Sequence, residues 1–153
     1  MIDRERFRNA LAGWASGVTV VACRTDGRVV ATTVSAFMSL SLEPPLVVIA
    51  LGPNATVRPY LQPGQTFAVS VLAADQRRQA MVFADPYPAG ADPFPATGAP
   101  VIDGCPLALT CVVERVHEGG DHALVIAAVH DATGGATGTP LIRYDRGYHA
   151  LGD

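Results

Sequence analysis

The sequence predicts a mainly β domain: a closed or nearly closed antiparallel β-barrel with two or three short helices at its ends. Three observations carry this. Seven or eight short runs rich in β-branched and apolar residues follow one another, each bounded by turn signals. The turns are short, so neighbouring strands run antiparallel. Hydrophobic residues make up 49% of the 153 and charged residues only 16%, which excludes a disordered chain and supplies one core. No repeat or linker divides the chain, so residues 1–153 read as one domain.

The opening is an amphipathic helix. Asp3 can cap it, and Phe7, Ala10, Leu11 and Trp14 recur at the 3–4 spacing of a buried face. Gly13 and Gly17 end that pattern. Residues 18–23 form a strand by β-branched content. Thr25-Asp26-Gly27-Arg28 is a two-residue hairpin turn, because Asp-Gly tolerates the positive φ such turns demand, and residues 29–34 return. Residues 35–42 continue extended until Pro44-Pro45 stops them. Residues 46–51 are a continuous apolar run, expected to be buried on both faces. Gly52-Pro53-Asn54 turns the chain, residues 56–61 hold one helical turn, and residues 67–72 are a strand. Asp75 is expected to cap a helix running to about Phe83. Residues 84–100 hold five of the 12 prolines, and loops of this length are usually functional or mobile. Residues 107–117 form a long strand turned by Gly119-Gly120, and residues 122–130 pair back. Residues 133–140 are a Gly/Thr loop, and 141–144 with 148–151 make a last hairpin.

Eleven basic against 14 acidic residues give a net charge of −3, without the basic footprint of a nucleic-acid binder. The longest apolar run, residues 46–51, falls far short of the ~20 residues that span a bilayer as a helix. The charged N-terminus has no apolar run behind it. Cys23, Cys105 and Cys111 form no CxxC and are odd in number, as expected of reduced, buried thiols. Together these predict a cytoplasmic protein that binds neither nucleic acid nor membrane. Low charge among many apolar residues suggests that a second subunit covers part of the surface.

Several common sites are absent. There is no P-loop, no GxGxxG after a strand and no nucleophile elbow; Gly13-Trp14-Ala15-Ser16-Gly17 has its serine one place late. Gly134-Gly135-Ala136-Thr137-Gly138 reads as a plain loop. Cys105, Cys111, His117 and His122 lie too far apart for a usual zinc site, so no metal is expected. The stretch of residues 32–41 holds five hydroxyls. It is either the polar face of an edge strand or the lining of a pocket for a flavin, which needs donors along its pyrimidine edge and an apolar floor. Asn54 and Thr56, with Arg58, could donate to a phosphate. His122 leaves a turn directly after Asp121, which can bias its charge.

In these blocks the sequence resembles the short-chain flavin reductases, the flavin reductase-like family of FMN-binding split barrels. The matching stretches are Gly17-Val18-Thr19-Val20-Val21, then Thr33-Val34-Ser35-Ala36-Phe37-Met38-Ser39-Leu40-Ser41 with Pro44-Pro45, then Phe67-Ala68-Val69-Ser70-Val71-Leu72. They continue with Gln76 up to Phe83-Ala84, Gly120-Asp121-His122, and Pro140-Leu141 through Gly147-Tyr148. The resemblance implies a six-stranded Greek-key split barrel that forms a homodimer, with flavin near the subunit interface. It implies an NAD(P)H:flavin oxidoreductase that takes NADH or NADPH, reduces FMN or FAD, and supplies a partner monooxygenase by flavin diffusion. Thr33, Val34, Ser35, Ala36, Phe37 and Ser39 would then wrap the flavin. Asn54 and Thr56 would hold its phosphate end, Phe83 and Ala84 would lie against its tail, and Tyr148 would close one side. His122 would be the catalytic residue that positions hydride transfer. Ala31, Ala36 and Ala127 depart from the family pattern and leave the preferred flavin open. The alternatives are a split barrel holding flavin tightly to act on an organic substrate, and a non-catalytic flavin- or haem-binding module with His130 or His149 as a haem ligand.

Overall fold

A computed structural model describes residues 1–85, 93–136 and 138–152. Pro86 and Pro88 of the proline-rich segment, and Thr137 of the glycine run, lie outside the described residues. Helix α1 (Arg4–Leu11) starts as predicted, with the Arg6 N–H donating to the Asp3 carboxylate at 2.8 Å. Its apolar face goes elsewhere than expected. No residue of α1 is buried, Phe7 and Leu11 are about half exposed, and Trp14 is 74% exposed. Periodicity identifies an apolar face but not what covers it.

Ten strands follow: β1 (Ser16–Gly17), β2 (Thr19–Thr25), β3 (Arg28–Val34), β4 (Phe37–Leu42), β5 (Pro45–Leu51), β6 (Thr66–Val71), β7 (Leu107–Gly119), β8 (His122–Gly134), β9 (Leu141–Tyr144) and β10 (Gly147–Ala150). That exceeds the seven or eight expected, because short pairings such as β1 carry no sequence pattern of their own. The main sheet has the order β3-β2-β6-β7-β8-β5-β4, every neighbour antiparallel, and β1-β9-β10 form a small second sheet. The edge strands β3 and β4 are consecutive in the chain, linked only through Ser35 and Ala36. The sheet must therefore curl until its two edges meet, yet they do not pair. Ala50 N–H donates to Ala36 O at 2.9 Å, extending the β4–β5 ladder by one pair, and Thr56 Oγ1, on the loop after β5, donates to Ala31 O of β3 at 2.8 Å and ties the two sides together across the split.

The β2–β3 turn has Asp26 at φ 49° and Gly27 at φ 75°, the geometry that the Asp-Gly pair predicted. Pro44-Pro45 does not simply end a strand. Pro45 opens β5 and pairs with Leu42, its missing N–H tolerated at a strand start. The run 46–51 is buried on one face only: Val47, Ile49 and Leu51 point into the core, while Leu46, Val48 and Ala50 are half-buried on the outer face. The strands buried on both faces are β2 and, over Phe67–Ser70, β6. Val21 and Cys23 face the barrel interior with Ile49, Phe67 and Val69. Val20 and Ala22 face outward under helix α2 (Arg77–Ala84), with Ala80, Phe83 and Ile102. Asp75 does not cap that helix. A 3-10 turn, Ala74–Gln76, precedes it, and the Ala73 N–H donates to the Gln76 side chain at 3.0 Å. The Gln76 amide oxygen thus closes the 3-10 turn, and no side chain caps α2 itself. Strand β8 runs on to Gly134, into what read as loop. Cys105 is only half-buried, unlike Cys23 and Cys111.

Candidate active site

The curl leaves the outer face of β5 and β8 without a covering helix, and a cleft forms there at the split. Its volume is about 460 Å³. The register sets Ala50 opposite Leu124 and Val48 opposite both Met38 and Ile126, which builds an apolar floor. Ser35, Ala36 and Phe37 form one wall, and Trp14 and Ser16 the other. Among the described residues, the hydroxyls of Ser16 and Ser35 make no hydrogen bond within the chain; the Ser39 hydroxyl and the Asn54 carboxamide are also unpartnered but do not line this cleft. An apolar floor beneath unpartnered hydroxyls fits a planar heteroaromatic ring with polar edges, and so fits a flavin.

Other hydroxyls of the expected set are already engaged. Thr33 Oγ1 donates to Ala80 O at 2.7 Å and fastens β3 to α2. Thr56 Oγ1 lies 2.6 Å from Thr32 Oγ1 and donates to Ala31 O, so its proton is committed to bracing the loop. Val34 is buried, and its carbonyl accepts from Thr19 Oγ1 at 2.8 Å. Phe83 is buried against Phe94, their centroids 5.3 Å apart, and the exposed Ala84 ends the helix. Tyr148 is half-buried beneath the Arg143 guanidinium, 4.9 Å from the ring centre. None of these residues lines the cleft.

His122 begins β8 two residues before Leu124, so both side chains stand on the outer face about 7 Å apart. Its Nδ1 lies 2.7 Å from Asp121 Oδ1. The hydrogen bond to His122 and its charge hold the Asp121 carboxyl below its usual range, and the charge of Arg4 acts the same way. Arg58 grips the turn: it donates to Asp121 O at 2.9 Å and to Glu118 Oε2 at 3.3 Å. The imidazole lies over Gly52, with Nε2 only 3.3 Å from where a Cβ would stand. Sequence reasoning missed the wall residues Trp14 and Ser16, the floor residues Val48, Ala50 and Leu124, and Gly52 beside His122. Ser16 comes to the cleft only through the pairing of β1 with β9. Gly52 was read as a turn residue, and only the β5–β8 register sets it beside His122.

The sequence profile of the flavin reductase-like domain matches residues 11–152. The reductase component of 4-hydroxyphenylacetate 3-monooxygenase from Thermus thermophilus is 38% identical over 148 residues, 97% of each chain. The NADH-dependent FAD reductase of Streptomyces globisporus is 39% identical over 141 residues, 86% of this chain and 76% of that one. Among solved structures, the flavin reductase PheA2 superposes with a TM-score of 0.89 at 33% identity, covering 99% of this chain and all of that one. The Streptomyces globisporus NADH:FAD oxidoreductase, in complex with NAD and FAD fragments, superposes at 0.86 with 32% identity, covering 98% and 93%.

Proposed function

This chain belongs to the flavin reductase-like domain family, and on that premise we propose that its split cleft seats flavin for reduction by NAD(P)H. The chain is an oxidoreductase that reduces flavin with a nicotinamide nucleotide, and a flavin-dependent monooxygenase is its partner. The observation that carries the site is the pairing of an apolar floor with unpartnered hydroxyls, on the face that also carries His122. Bound flavin supplies the hydride acceptor. The chain's own residues orient and shield. Ser35, Ala36 and Ser39 present polar groups to the ring edge, while Phe37, Val48, Ala50 and Leu124 keep water from the floor. Thr33 and Val34 hold β3 in place to form the wall. Asn54 receives the phosphate end on a loop that Thr56 braces. Phe83, Ala84 and Tyr148 bound the tail. His122, fixed by Asp121, positions the nicotinamide.

The unit is a homodimer of single-domain chains, supported by the bare apolar face of α1 and β4 beside the cleft. Among the described residues no helix is long and apolar enough to cross a membrane. The test is oxidation of NADH and NADPH by the purified protein with FMN, FAD and riboflavin. Turnover that requires added flavin and saturates with it is the expected result. A yellow protein that turns over only on an organic substrate would replace this reading with the tightly held flavin.

A further inference from the structure

Four arginines gather beside the split, and none has been given a ligand there. Helix α1 contributes Arg4 and Arg8, and the β9–β10 hairpin contributes Arg143 and Arg146. They line two adjoining clefts of about 520 and 450 Å³, and Arg8 and Arg146 border both. The larger cleft also contains Ser16, Ser35 and Ala36, so it is continuous with the proposed flavin seat. Glu5 and Asp145 are the carboxylates present, two against four arginines.

The other arginines able to approach a nucleotide are engaged. Arg24 donates to Gly98 O at 2.9 Å and to Pro95 O, Arg28 to Tyr60 Oη at 3.2 Å, and Arg58 to the Asp121 turn. Arg143 differs. It stacks on Tyr148, and among the described residues its guanidinium N–H groups have no hydrogen-bond partner. Stacking fixes the plane and leaves the donor fork open, the arrangement that suits a phosphate. The hairpin is tied to the N-terminal segment: Asp145 N–H donates to Ala12 O at 2.9 Å, and one guanidinium nitrogen of Arg146 donates to the Asn9 side chain, its others making no hydrogen bond among the described residues.

We propose that Arg8, Arg143 and Arg146 form a phosphate subsite for the nucleotide substrates. It rests on the reductase reading and extends it. The phosphate belongs either to the pyridine dinucleotide or to the flavin nucleotide, in which case this cluster, and not Asn54, takes the flavin's phosphate end.

The test compares wild type with R143Q, R143K and the R8Q/R146Q pair. Binding of FMN and of riboflavin is followed by flavin fluorescence, and KM is measured for NADH and NADPH at saturating flavin. A five- to tenfold loss of FMN affinity with riboflavin unchanged assigns the subsite to the flavin phosphate. A similar rise in KM for NADH or NADPH, with FMN unchanged and kcat within twofold, assigns it to the dinucleotide. R143K should recover part of either loss, since it keeps the charge without the fork. Equal losses for FMN and riboflavin, or no change in any nucleotide, would overturn the proposal. If wild type oxidises neither NADH nor NADPH with any flavin, the reductase reading fails, while the FMN and riboflavin arm still tests the subsite.

Discussion

Gly52 and Asp121 touch the same imidazole from two sides. A methyl group at Gly52 would stand 3.3 Å from His122 Nε2, closer than most side-chain contacts, so the ring must shift. Gly52→Ala is expected to leave the melting temperature near wild type and raise KM for the nicotinamide nucleotide about tenfold, since small misplacements are costly in hydride transfer. Asp121 gives a pH prediction. Its carboxyl titrates below its usual value in the folded chain, so the pair contributes stability above the ordinary carboxylate range near pH ~4. That contribution is lost as pH falls through the lowered value. The gap in melting temperature between wild type and Asp121→Asn should therefore be small at neutral pH, because the group is exposed, and should close in acid. The thiols follow the opposite sign. Burial pushes Cys23 up to about 11 and Cys111 up to about 12, from an ordinary 9.0. Their neutral forms favour the fold, and that advantage erodes as pH rises from 9 through those values. At pH 8 an alkylating reagent should modify at most Cys105 in the folded chain and all three cysteines after unfolding, counted by intact mass.

Strand and turn chemistry was the most legible part of the chain, because it is local. Asp26-Gly27 specified its own hairpin, and β-branched runs marked β2, β3 and β6. Legibility ended where an element's role depends on distant partners. The run 46–51 looked fit for burial on both faces, but α2 covers β2 instead, and the bare face of β5 becomes the cleft floor. The candidate site divides in the same way. Ser35 and Ala36 were readable as part of a hydroxyl block, and His122 as a residue leaving a turn. The commitments of Thr33 and Thr56 were not, since Ala80 and Ala31 are brought to them only by the fold. One glycine shows how tightly an element end is set. Gly134 has φ +91°, and a Cβ there would stand 2.1 Å from Pro106 O. Gly134→Ala is expected to destabilise the chain by about 2–4 kcal/mol, a fall of roughly 4–16 °C in melting temperature by calorimetry.

The surface of the whole molecule carries an apolar region suited to the proposed second subunit. A folded monomer of 16.0 kDa exposes about 7,400 Å² by the usual scaling, whereas this chain exposes 9249 Å². That surface is large for the mass. Its chemistry is apolar in one region. Phe7, Leu11 and Trp14 project from the N-terminal segment, and Met38, Leu40 and Leu42 from β4, with Leu42 88% exposed. Single exposed apolar residues are ordinary, but this many around one cleft mark a binding surface. The helix face that periodicity assigned to the chain's own core is thus an apolar face without an intrachain partner. Because none of these side chains is buried within the chain, charges placed there should not unfold it. Trp14→Glu with Leu42→Glu is expected to halve the mass seen by light scattering while circular dichroism stays unchanged. Flavin affinity should fall with it, since Trp14 also walls the cleft. Leu42→Glu alone separates the two effects: it lies outside the cleft lining, so a loss of flavin binding that tracks dissociation places the seat at the subunit boundary. A double variant that remains dimeric would move the interface to another face and leave the exposed α1 surface to a different partner.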